Sequence, residues 1–346
     1  MEKRNLRNIS KQELLGFLAQ EKQKPFRARQ IYQWLWERGV TSIHAMKNLP
    51  GALLDTMQQH FEISAAEVQQ SKTALDGTTK VAFQFHDGQV AEGVFIPSRQ
   101  RVTACVSSQS GCKLNCTFCA TGQVTHGRDL TAGEIYDQVL AIKGMAEAQE
   151  KRLTNIVYMG MGEPLLNYDE VLRSISLITG KPGLEMSPSR ITLSTAGIVP
   201  GIIRLADDEV RFHLAISLHS AVEETRNQLM PINKKYSLKT LSEAIQYFHK
   251  KTGERITFEY LMLRNVNDSL YEASALAEFC KAFPVKINLI EYNPVEEFDF
   301  QPSTKESVEA FQQFLEKRNM IVNVRKSKGQ EIYAACGQLA NRKVSK

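Results

Sequence analysis

Apolar and polar positions follow two different patterns along this chain, and the second pattern, from residue 101 onward, is the clearer one. Short runs rich in β-branched residues alternate there with longer stretches of helical periodicity. One helical stretch, 131–148, opens with Thr131 and Glu134 at the spacing of a capping box. Seven runs predict strands: 101–107, 153–160, 190–195, 212–219, 255–263, 285–293 and 320–327.

Strands that are apolar throughout, and that are separated by helices, are typical of a parallel sheet covered by helices. The spacing of these units predicts an α/β fold, built as an open, partial (βα)6 barrel. In parallel barrels the active site forms at the C-terminal ends of the strands. The polar residues that follow the predicted strands lie at those ends: Gly162, Glu163, Ser194, Thr195, Ser217, His219 and Asn293.

The first hundred residues predict short helices and then a hairpin. Ser10 and Glu13 form a capping box, and residues 26–38 place apolar and aromatic side chains at i, i+4 spacing before Gly39 ends the helix. This helix belongs either to a packed aromatic core with solvated arginines or to a small RNA-binding module. Its arginines are Arg27, Arg29 and Arg38.

These patterns divide the chain into four predicted segments. Residues 1–75 form an N-terminal helical accessory domain, predicted to bind RNA, and residues 76–100 form a linking β-hairpin. The hairpin turns at His86-Asp87-Gly88. Residues 101–300 form the barrel, and residues 301–346 form a C-terminal extension.

Composition limits the class of protein and its compartment. The chain has 346 residues, of which 42% are hydrophobic and 23% are charged, as in an ordinary soluble protein. No apolar run reaches the roughly 18 residues that suggest a membrane span. The first residues also lack the apolar core of a secretory signal, so we expect a cytoplasmic protein with reduced cysteines.

Positive charge is concentrated at the two ends of the chain. Residues 1–38 carry nine Lys and Arg against four Glu, and residues 317–346 carry eight against one Glu. The net charge of the whole chain is only +5, so the middle is acidic. Basic ends are typical of proteins with a polyanionic partner such as nucleic acid, and they are equally typical of ends that are simply solvated.

The spacing of the cysteines carries a stronger chemical signal. Cys112, Cys116 and Cys119 are spaced C-x3-C-x2-C, and Cys105 lies seven residues before the first of them. In a reducing compartment this clustering indicates a metal site or catalysis rather than disulfides. Three thiolates fit zinc, for which His126 is a weak fourth ligand, or a four-iron cluster that leaves one iron open to a small molecule.

Several motifs together resemble a known family. The cysteine triad, with Phe118 before its last member, resembles the radical S-adenosylmethionine (SAM) signature, and residues 160–164, GMGEP, resemble the segment that holds the methionyl amino group. Eight blocks in order across residues 101–341 resemble the RlmN/Cfr family of RNA adenine methyltransferases: CVSSQSGCKLNCTFCATG, MGMGEPLLN, LSTAGIVP, AISLHS, LMPINKKY, NVNDS, NLIEYNP and AACGQLA.

This resemblance implies a four-iron–four-sulfur (4Fe-4S) cluster on Cys112, Cys116 and Cys119. It also implies two molecules of SAM per turnover, one as methyl donor and one as radical source. Cys336 would accept the methyl group, and the radical would convert that S-methyl group into a carbon radical that joins the adenine. Cys105 would then attack the Cys336 sulfur, which releases the methylated base and leaves a disulfide.

Three expectations concern the cysteines outside the triad. Cys336 lies in the C-terminal extension near basic residues, a setting expected to favour its thiolate. Cys105, if considered alone, could equally be an ordinary buried strand cysteine. Cys280 matches no motif and is expected to be a buried small hydrophobe on an apolar helix face. The basic residues near Cys336 are Arg325, Lys326 and Lys328.

The resemblance also assigns contacts with SAM to the residues at the strand ends. The alternative for Ser217 and His219 is that they only cap the end of their strand through hydrogen bonds inside the protein. By this resemblance the SAM amino group would be held by Gly162 and Glu163, and its carboxylate side by Ser194. Its ribose and adenine would be positioned by Ser217, Leu218, His219 and Asn293.

Glu92 matches the family glutamate proposed as proton acceptor. It lies between Val90 and Val94 on its strand and shares their face, so its pKa is expected to be raised, as a base near neutral pH requires. The alternative is a solvated glutamate on an edge strand. The strand reads Ala-Glu-Gly where the family more often has Glu-Thr, which leaves the register of Glu92 open.

The substrate implied by the resemblance is carbon 2 of an adenine in large-subunit (23S) ribosomal RNA, with tRNA as a further substrate, since GEPLLN resembles the carbon-2 branch. The alternatives are a carbon-8 methyltransferase of the Cfr type, which confers antibiotic resistance, a non-catalytic zinc-containing RNA-binding protein, and a radical enzyme acting on a small molecule. The implied partners are RNA and an electron donor such as flavodoxin. We expect a monomer without membrane association.

Overall fold

One ten-stranded sheet organises most of the chain, for which a computed structural model describes residues 3–124 and 126–340. A separate pair of two-residue strands lies in the N-terminal part. In chain order the strands are β1 (Arg4–Asn5), β2 (Phe61–Glu62), β3 (Glu67–Thr73), β4 (Thr79–Gln84), β5 (Val90–Ser98), β6 (Arg101–Cys105), β7 (Arg152–Tyr158), β8 (Ile191–Thr195), β9 (His213–Ser217), β10 (Ile256–Met262), β11 (Val285–Glu291) and β12 (Ile321–Arg325).

The helices fall between these strands, mostly as the sequence predicts. The helix that follows β6 has Thr131 as its N-cap, and the capping box with Glu134 is confirmed. The helices are α1 (Lys11–Gln20), α2 (Phe26–Tyr32), α3 (Gly51–His60), α4 (Ala132–Ala148), α5 (Tyr168–Thr179), α6 (Val199–Asp207), α7 (Glu223–Leu229), α8 (Leu238–Thr252), α9 (Leu270–Phe279) and α10 (Lys305–Glu316).

Strands β6 to β12 are parallel and stand side by side in chain order, which confirms all seven predicted strands. The sheet does not close, because its edges are β3 and β12. Helix α4 packs against α5, α6 against α8, and α9 against α10. The architecture is therefore the predicted α/β type, with a mostly parallel sheet and a small N-terminal domain.

Strands β3, β4 and β5 extend this sheet in antiparallel order beyond β6. The predicted hairpin is confirmed as β4 and β5, with the chain turning at Gly88. Strand β3 was not predicted, since its seven residues are all exposed and show no apolar alternation. The predicted boundary at residue 75 therefore follows a strand of the main sheet, and the division into four segments stays a prediction.

The N-terminal helices share one hydrophobic cluster with the sheet. Ser10 caps α1 in the predicted capping box, and α2 continues as a short π-helix, Gln33–Glu37. Arg7 forms a buried ion pair with Asp137 of α4, and the Tyr136 hydroxyl donates a hydrogen bond to the Trp36 carbonyl. The N-terminal unit is thus joined to the sheet through buried polar contacts as well as apolar packing.

No helix in residues 3–124 or 126–340 combines the length and the apolar character needed to cross a membrane.

Candidate active site

Two serines at the ends of neighbouring parallel strands lie side by side, as the strand-end rule predicts. Ser194 is on β8 and Ser217 on β9, and their hydroxyl oxygens are 3.4 Å apart. The next strand, β10, places Glu259 opposite Ser217 in register. These strand ends form one edge of the sheet, toward which the loops with the remaining predicted residues extend.

Gly162 and Glu163 form a tight turn after β7. Gly162 has a φ of +97°, and a Cβ added there would lie 2.5 Å from the Gln109 side chain, so only glycine fits. The Glu163 carboxylate is buried and accepts backbone N–H bonds from Leu165 at 3.0 Å and from Ala196 at 2.7 Å. Burial raises the pKa of this carboxyl group, and the two amide bonds oppose that effect.

Leu218 and His219 follow β9 and make contacts inside the protein. Leu218 is fully buried in the hydrophobic cluster. The His219 Nδ1 accepts the Leu261 N–H at 3.0 Å, and its ring meets the Phe118 ring edge-on at a centroid distance of 4.8 Å. Burial lowers the pKa of His219 to about 3, so the ring is neutral. These contacts are those of the satisfied strand-end cap, and contact with SAM stays a prediction.

Asn293 follows β11 and holds the C-terminal segment, which we define as residues 334–340. Its amide nitrogen donates to the Cys336 carbonyl at 3.4 Å. Its amide oxygen accepts a hydrogen bond from the Gln330 side chain at 2.7 Å. The predicted ribose and adenine contact is therefore, in this structure, a contact with the segment that carries Cys336.

The cysteine triad lies on the loop between β6 and α4, and its three side chains are half-buried. Cys116 and Cys119 pack against an apolar cluster that includes Phe118, Leu229, Met230 and Tyr292. Burial raises the pKa of Cys112 to about 12 and that of Cys116 well above its usual range, and the charge of Cys119 raises both further. A cationic metal centre would relieve this mutual repulsion.

As the loop stands, no three or more His, Cys, Asp or Glu side chains in the described ranges are arranged closely enough to hold a metal ion. His126, the weak zinc ligand, is exposed on the same loop. The donor set still fits an iron–sulfur centre in its chemistry, because it offers three thiols in an apolar shell. Cys112, Cys116 and Cys119 are the residues that would hold it.

Arg226 is a site residue that the sequence did not reveal. Its buried guanidinium donates to the Leu218 carbonyl at 3.1 Å and to the Ala196 carbonyl at 2.7 Å. Burial lowers its pKa to about 10, while the negative charge of a Cys116 thiolate would raise it. Arg226 thus fixes two of the strand-end loops beside the triad. The sequence shows Arg226 only as a single arginine on a short helix. Because such arginines are usually exposed, this position does not indicate a site residue.

Cys105 and Cys336 are both free thiols, and they lie near one another. Cys105 ends β6 and is buried, and the charge of a Cys336 thiolate adds to burial in raising its pKa. Cys336 is exposed. Desolvation and the Glu259 charge raise the pKa of Cys336 to about 11, and Arg325 only partly opposes this. The expectation that basic neighbours would favour the Cys336 thiolate is therefore wrong for this structure.

The C-terminal segment lies over the end of the cysteine loop. The Ala120 N–H donates to the Gly337 carbonyl at 2.8 Å, and the Thr121 hydroxyl donates to the Leu339 carbonyl at 2.7 Å. Both donors follow directly after Cys119, so the segment covers the triad from one side. Residues 341–346, which include three of the predicted basic residues, lie outside the described residues.

Glu92 lies on β5 and is only 3% exposed, which excludes the solvated edge-strand alternative. Its Oε1 is 3.1 Å from the Lys80 Nζ on β4, and its Oε2 accepts the Ala340 N–H at 2.9 Å. The predicted apolar surroundings thus contain a charged partner that the sequence reasoning missed. The available signal was a lysine inside the apolar run TKVAF. The predicted role of Glu92 as a base stays a prediction.

Cys280 is buried at the end of α9, as predicted for a small hydrophobe. Burial raises the pKa of its thiol to about 12. It takes no part in the site, and its apolar surroundings keep it unreactive.

Comparison with known proteins agrees with this geometry. Residues 106–276 match the family model described as the radical SAM superfamily, and residues 4–63 match the model described as the ribosomal RNA large subunit methyltransferase N-terminal domain. The crystal structure of a radical SAM methyltransferase from Sphaerobacter thermophilus superposes with a TM-score of 0.91 at 37% identity, covering 97% of this chain and 99% of that one. The fold and the cysteine loop therefore define a radical SAM protein.

Similarity over nearly the whole chain narrows the class further. A protein of Flavobacterium psychrophilum named probable dual-specificity RNA methyltransferase RlmN is 47% identical over 345 residues, covering 99% of both chains. A protein of Bacillus pumilus with the same name is 39% identical over 327 residues, covering 94% of this chain and 91% of that one. The chain belongs to the RlmN family.

Proposed function

We propose that this protein is a radical SAM RNA methyltransferase that methylates carbon 2 of an adenine in large-subunit ribosomal RNA and in transfer RNA. The printed name of the relatives, dual-specificity RNA methyltransferase, supports two RNA substrates. The observation that supports the chemistry is the nearness of two free thiols, Cys105 and Cys336, beside the cysteine loop.

Five groups of this chain have roles in the proposed reaction. Cys112, Cys116 and Cys119 hold the 4Fe-4S cluster, and the strand-end residues from Gly162 to Asn293 hold SAM. When bound, the cluster and two molecules of SAM per turnover supply a methyl group and a radical that removes a hydrogen atom. Cys336 accepts the methyl group on its sulfur and loses its thiol proton, which leaves an S-methylcysteine.

The Cys336 sulfur then carries the reacting carbon to the RNA. Once one hydrogen atom has been removed from the S-methyl group, its carbon adds to the adenine ring and joins protein to RNA as a thioether. An electron donor such as flavodoxin supplies the one electron that generates the radical, and the adduct gives one electron back after the addition. Glu92 accepts the ring proton, and aromaticity is restored.

Cys105 resolves the adduct. Its thiolate attacks the Cys336 sulfur, so a sulfur–sulfur bond forms and the sulfur–carbon bond breaks. The carbon leaves with the bonding electron pair and takes up a proton, which gives the methylated adenine. A disulfide between Cys105 and Cys336 remains, and a dithiol reductant returns both residues to thiols with two electrons.

Three further parts of the proposal concern the surroundings of this reaction. Residues 1–75 are proposed to grip RNA together with the basic C-terminal end, since phosphate contacts position a nucleic acid on a protein. The target adenine must leave its stack to reach an enclosed site. The protein is proposed to act as a monomer in the cytoplasm.

Replacement of the two thiols tests this proposal. Cys105→Ala, expressed in cells, should carry covalently bound RNA, because the thioether forms and is not resolved. Denaturing electrophoresis should show a shifted band that ribonuclease removes. The matched control Cys105→Ala/Cys336→Ala should show no such band, since no sulfur carries the methyl group. Normal turnover by Cys105→Ala without bound RNA would contradict the relay.

The position of the methyl group needs a separate measurement. Nuclease digestion of RNA methylated by the purified protein, followed by chromatography against both methyladenosine standards, distinguishes carbon 2 from carbon 8. The proposal expects the carbon-2 isomer from both ribosomal and transfer RNA. The carbon-8 isomer would assign the protein to the other branch.

A further inference from the structure

Lys80 and Glu92 form a buried ion pair, and the proposed reaction gives a role to Glu92 but none to Lys80. The Lys80 side chain is 7% exposed and that of Glu92 is 3% exposed. Among the residues that the structure describes, Glu92 is the only carboxylate in ion-pair distance of Lys80. Removing one partner of such a pair leaves the other in a buried position without its counter-charge.

The pair shares a face of the sheet with Cys105. Val94 of β5 is in register with Lys80 on β4 and with Cys105 on β6. Cross-strand neighbours project to the same face, and Glu92 lies two residues from Val94 on that face. The ammonium group, the carboxylate and the thiol therefore stand along one surface, which the C-terminal segment covers.

The two oxygens of Glu92 have different partners. Oε1 meets the Lys80 ammonium at 3.1 Å, within the sheet. Oε2 meets the Ala340 N–H at 2.9 Å, four residues after Cys336. An RNA base that enters the site displaces the segment more easily than it displaces a side chain held in a strand. Oε2 is thus the oxygen that a substrate can reach.

We propose that Lys80 is the positioning residue of the base: it keeps Glu92 ionised and anchors Oε1, so that Oε2 takes the ring proton when Ala340 moves away. This inference rests on the proposed function. Without Lys80, a buried carboxyl group has no cation to balance its charge and takes up a proton instead. A protonated Glu92 cannot accept the ring proton.

The proton transfer does not depend on a strong base at this position. The carbon of the adduct carries both the ring hydrogen and the new substituent, and loss of the proton restores the aromatic ring. The driving force therefore comes from the substrate. What the base must supply is a constant charge and a fixed position, and Lys80 provides both.

The ionisation of Glu92 can be measured without cofactors or RNA. Infrared difference spectra of the full-length protein at neutral pH should show no carboxylic-acid band for Glu92 in the parent. Lys80→Met should show such a band, and Lys80→Met/Glu92→Gln should lack it. Lys80→Gln, which keeps a polar side chain, repeats the measurement if the methionine variant does not fold. A carboxylic-acid band of the parent that disappears in Glu92→Gln, or no such band in either neutral variant, would overturn the proposal.

The function of the pair is tested by turnover in protein with Cys105 intact, because Glu92 acts after the thioether has formed. Lys80→Met should lower the rate at which methylated adenine is released by roughly a hundredfold, the usual contribution of a general base. Lys80→Arg should restore much of that rate because it keeps the charge. Lys143→Met is the matched control, since it removes a lysine from an exposed ion pair with Glu147 on α4 and should change nothing.

The outcomes separate the two proposals. No adduct in Cys105→Ala alone would remove the relay and leave the infrared result as the test of Lys80. Equal rates of release of methylated adenine with and without Lys80 would overturn the positioning role while the relay stands.

Discussion

The sheet and the N-terminal helical unit differ in where their charged side chains lie and in what those side chains contact. In the sheet, one pair of opposite charges near the site, Lys80 and Glu92, is buried and matched. In the N-terminal unit, Arg38 is exposed and stacks on the Trp34 ring at 4.1 Å, and Arg27 lies 4.9 Å from the exposed Phe26 ring. The described ion pairs of the chain include neither arginine.

This difference suggests a division of work. Buried, matched charges act over short distances and are little affected by salt, so they suit chemistry at one atom. Exposed cations held on aromatic rings keep their charge available for a polyanion. The two regions should therefore respond to different perturbations, and each of the following experiments tests one side of the contrast or the joint between them.

The largest effect is expected from the cysteine loop. Replacing any one of Cys112, Cys116 or Cys119 by Ala should abolish the visible absorbance of anaerobically reconstituted protein. It should also abolish the cleavage of SAM, measured as formation of its product deoxyadenosine. RNA affinity should stay that of the parent, because the basic surface lies elsewhere. Metal analysis and absorbance before and after reduction measure the first effect. A colourless parent with stoichiometric zinc would end the radical interpretation.

The buried ion pair of Arg7 with Asp137, which joins the two regions, should show the largest effect on stability when it is broken. Arg7→Met leaves the Asp137 carboxylate buried with the Ala66 N–H as its remaining polar contact in the described structure. The free energy of unfolding should fall by about 3–5 kcal/mol in urea titrations. Arg7→Met/Asp137→Leu should recover most of that loss. A loss below about 1 kcal/mol, the value of a surface pair, would show that the pair is solvated.

His219 should give the sheet a measurable dependence on pH. Its pKa is lowered from 6.5 to about 3, so between these values the unfolded chain binds a proton that the folded protein excludes. This contribution is complete above pH 6.5 and is lost on acidification, by about 1.4 kcal/mol per pH unit. The raised pKa values of Glu163 and Glu259 act in the opposite direction above 4.5.

The comparison of variants separates these contributions. Urea unfolding of the parent and of His219→Gln across this range should give curves whose difference has the stated slope. Parallel curves for the parent and His219→Gln would mean that the ring titrates normally.

The smallest effects are expected from Arg27 and Arg38, the two arginines that contact aromatic rings of the N-terminal unit. Arg27→Gln and Arg38→Gln should each lower the slope of log affinity against log salt by about one, the value for one phosphate contact. Cleavage of SAM should be unchanged. Arg204→Gln is a matched control, because Arg204 also stacks on a ring, Tyr168, but is paired with Asp169. An unchanged salt slope in both test variants would make the N-terminal unit a packing element only.

Local signals made the main elements predictable. The capping boxes at Ser10 and Thr131 depend on residues three apart, and the parallel strands are apolar throughout, so neither needs knowledge of the fold. Strand β3 lacks such a signal because its exposed residues form a strand only by pairing with β4. The π-helix after α2 likewise interrupts a periodicity that reads as continuous.

The site residues divide in the same way. The triad and the Gly162 turn are contiguous motifs, and the sequence reveals them directly. Lys80 and Arg226 act through partners that the fold brings to them, and the hydrogen bond of Glu92 to Ala340 joins residues 248 positions apart. The basic residues near Cys336 in the sequence predict a favoured thiolate, but desolvation and the Glu259 charge raise the pKa of its thiol.

The place of the C-terminal segment has a consequence for biosynthesis. Residues 334–340 are synthesised long after Ala120 and Thr121, to which they bond directly after Cys119. All seven parallel strands precede them in the chain. During translation the cysteine loop is therefore made well before the segment that bonds to it. Until residues 334–340 have been made, chain order leaves the loop without these contacts and open to whatever delivers iron and sulfur.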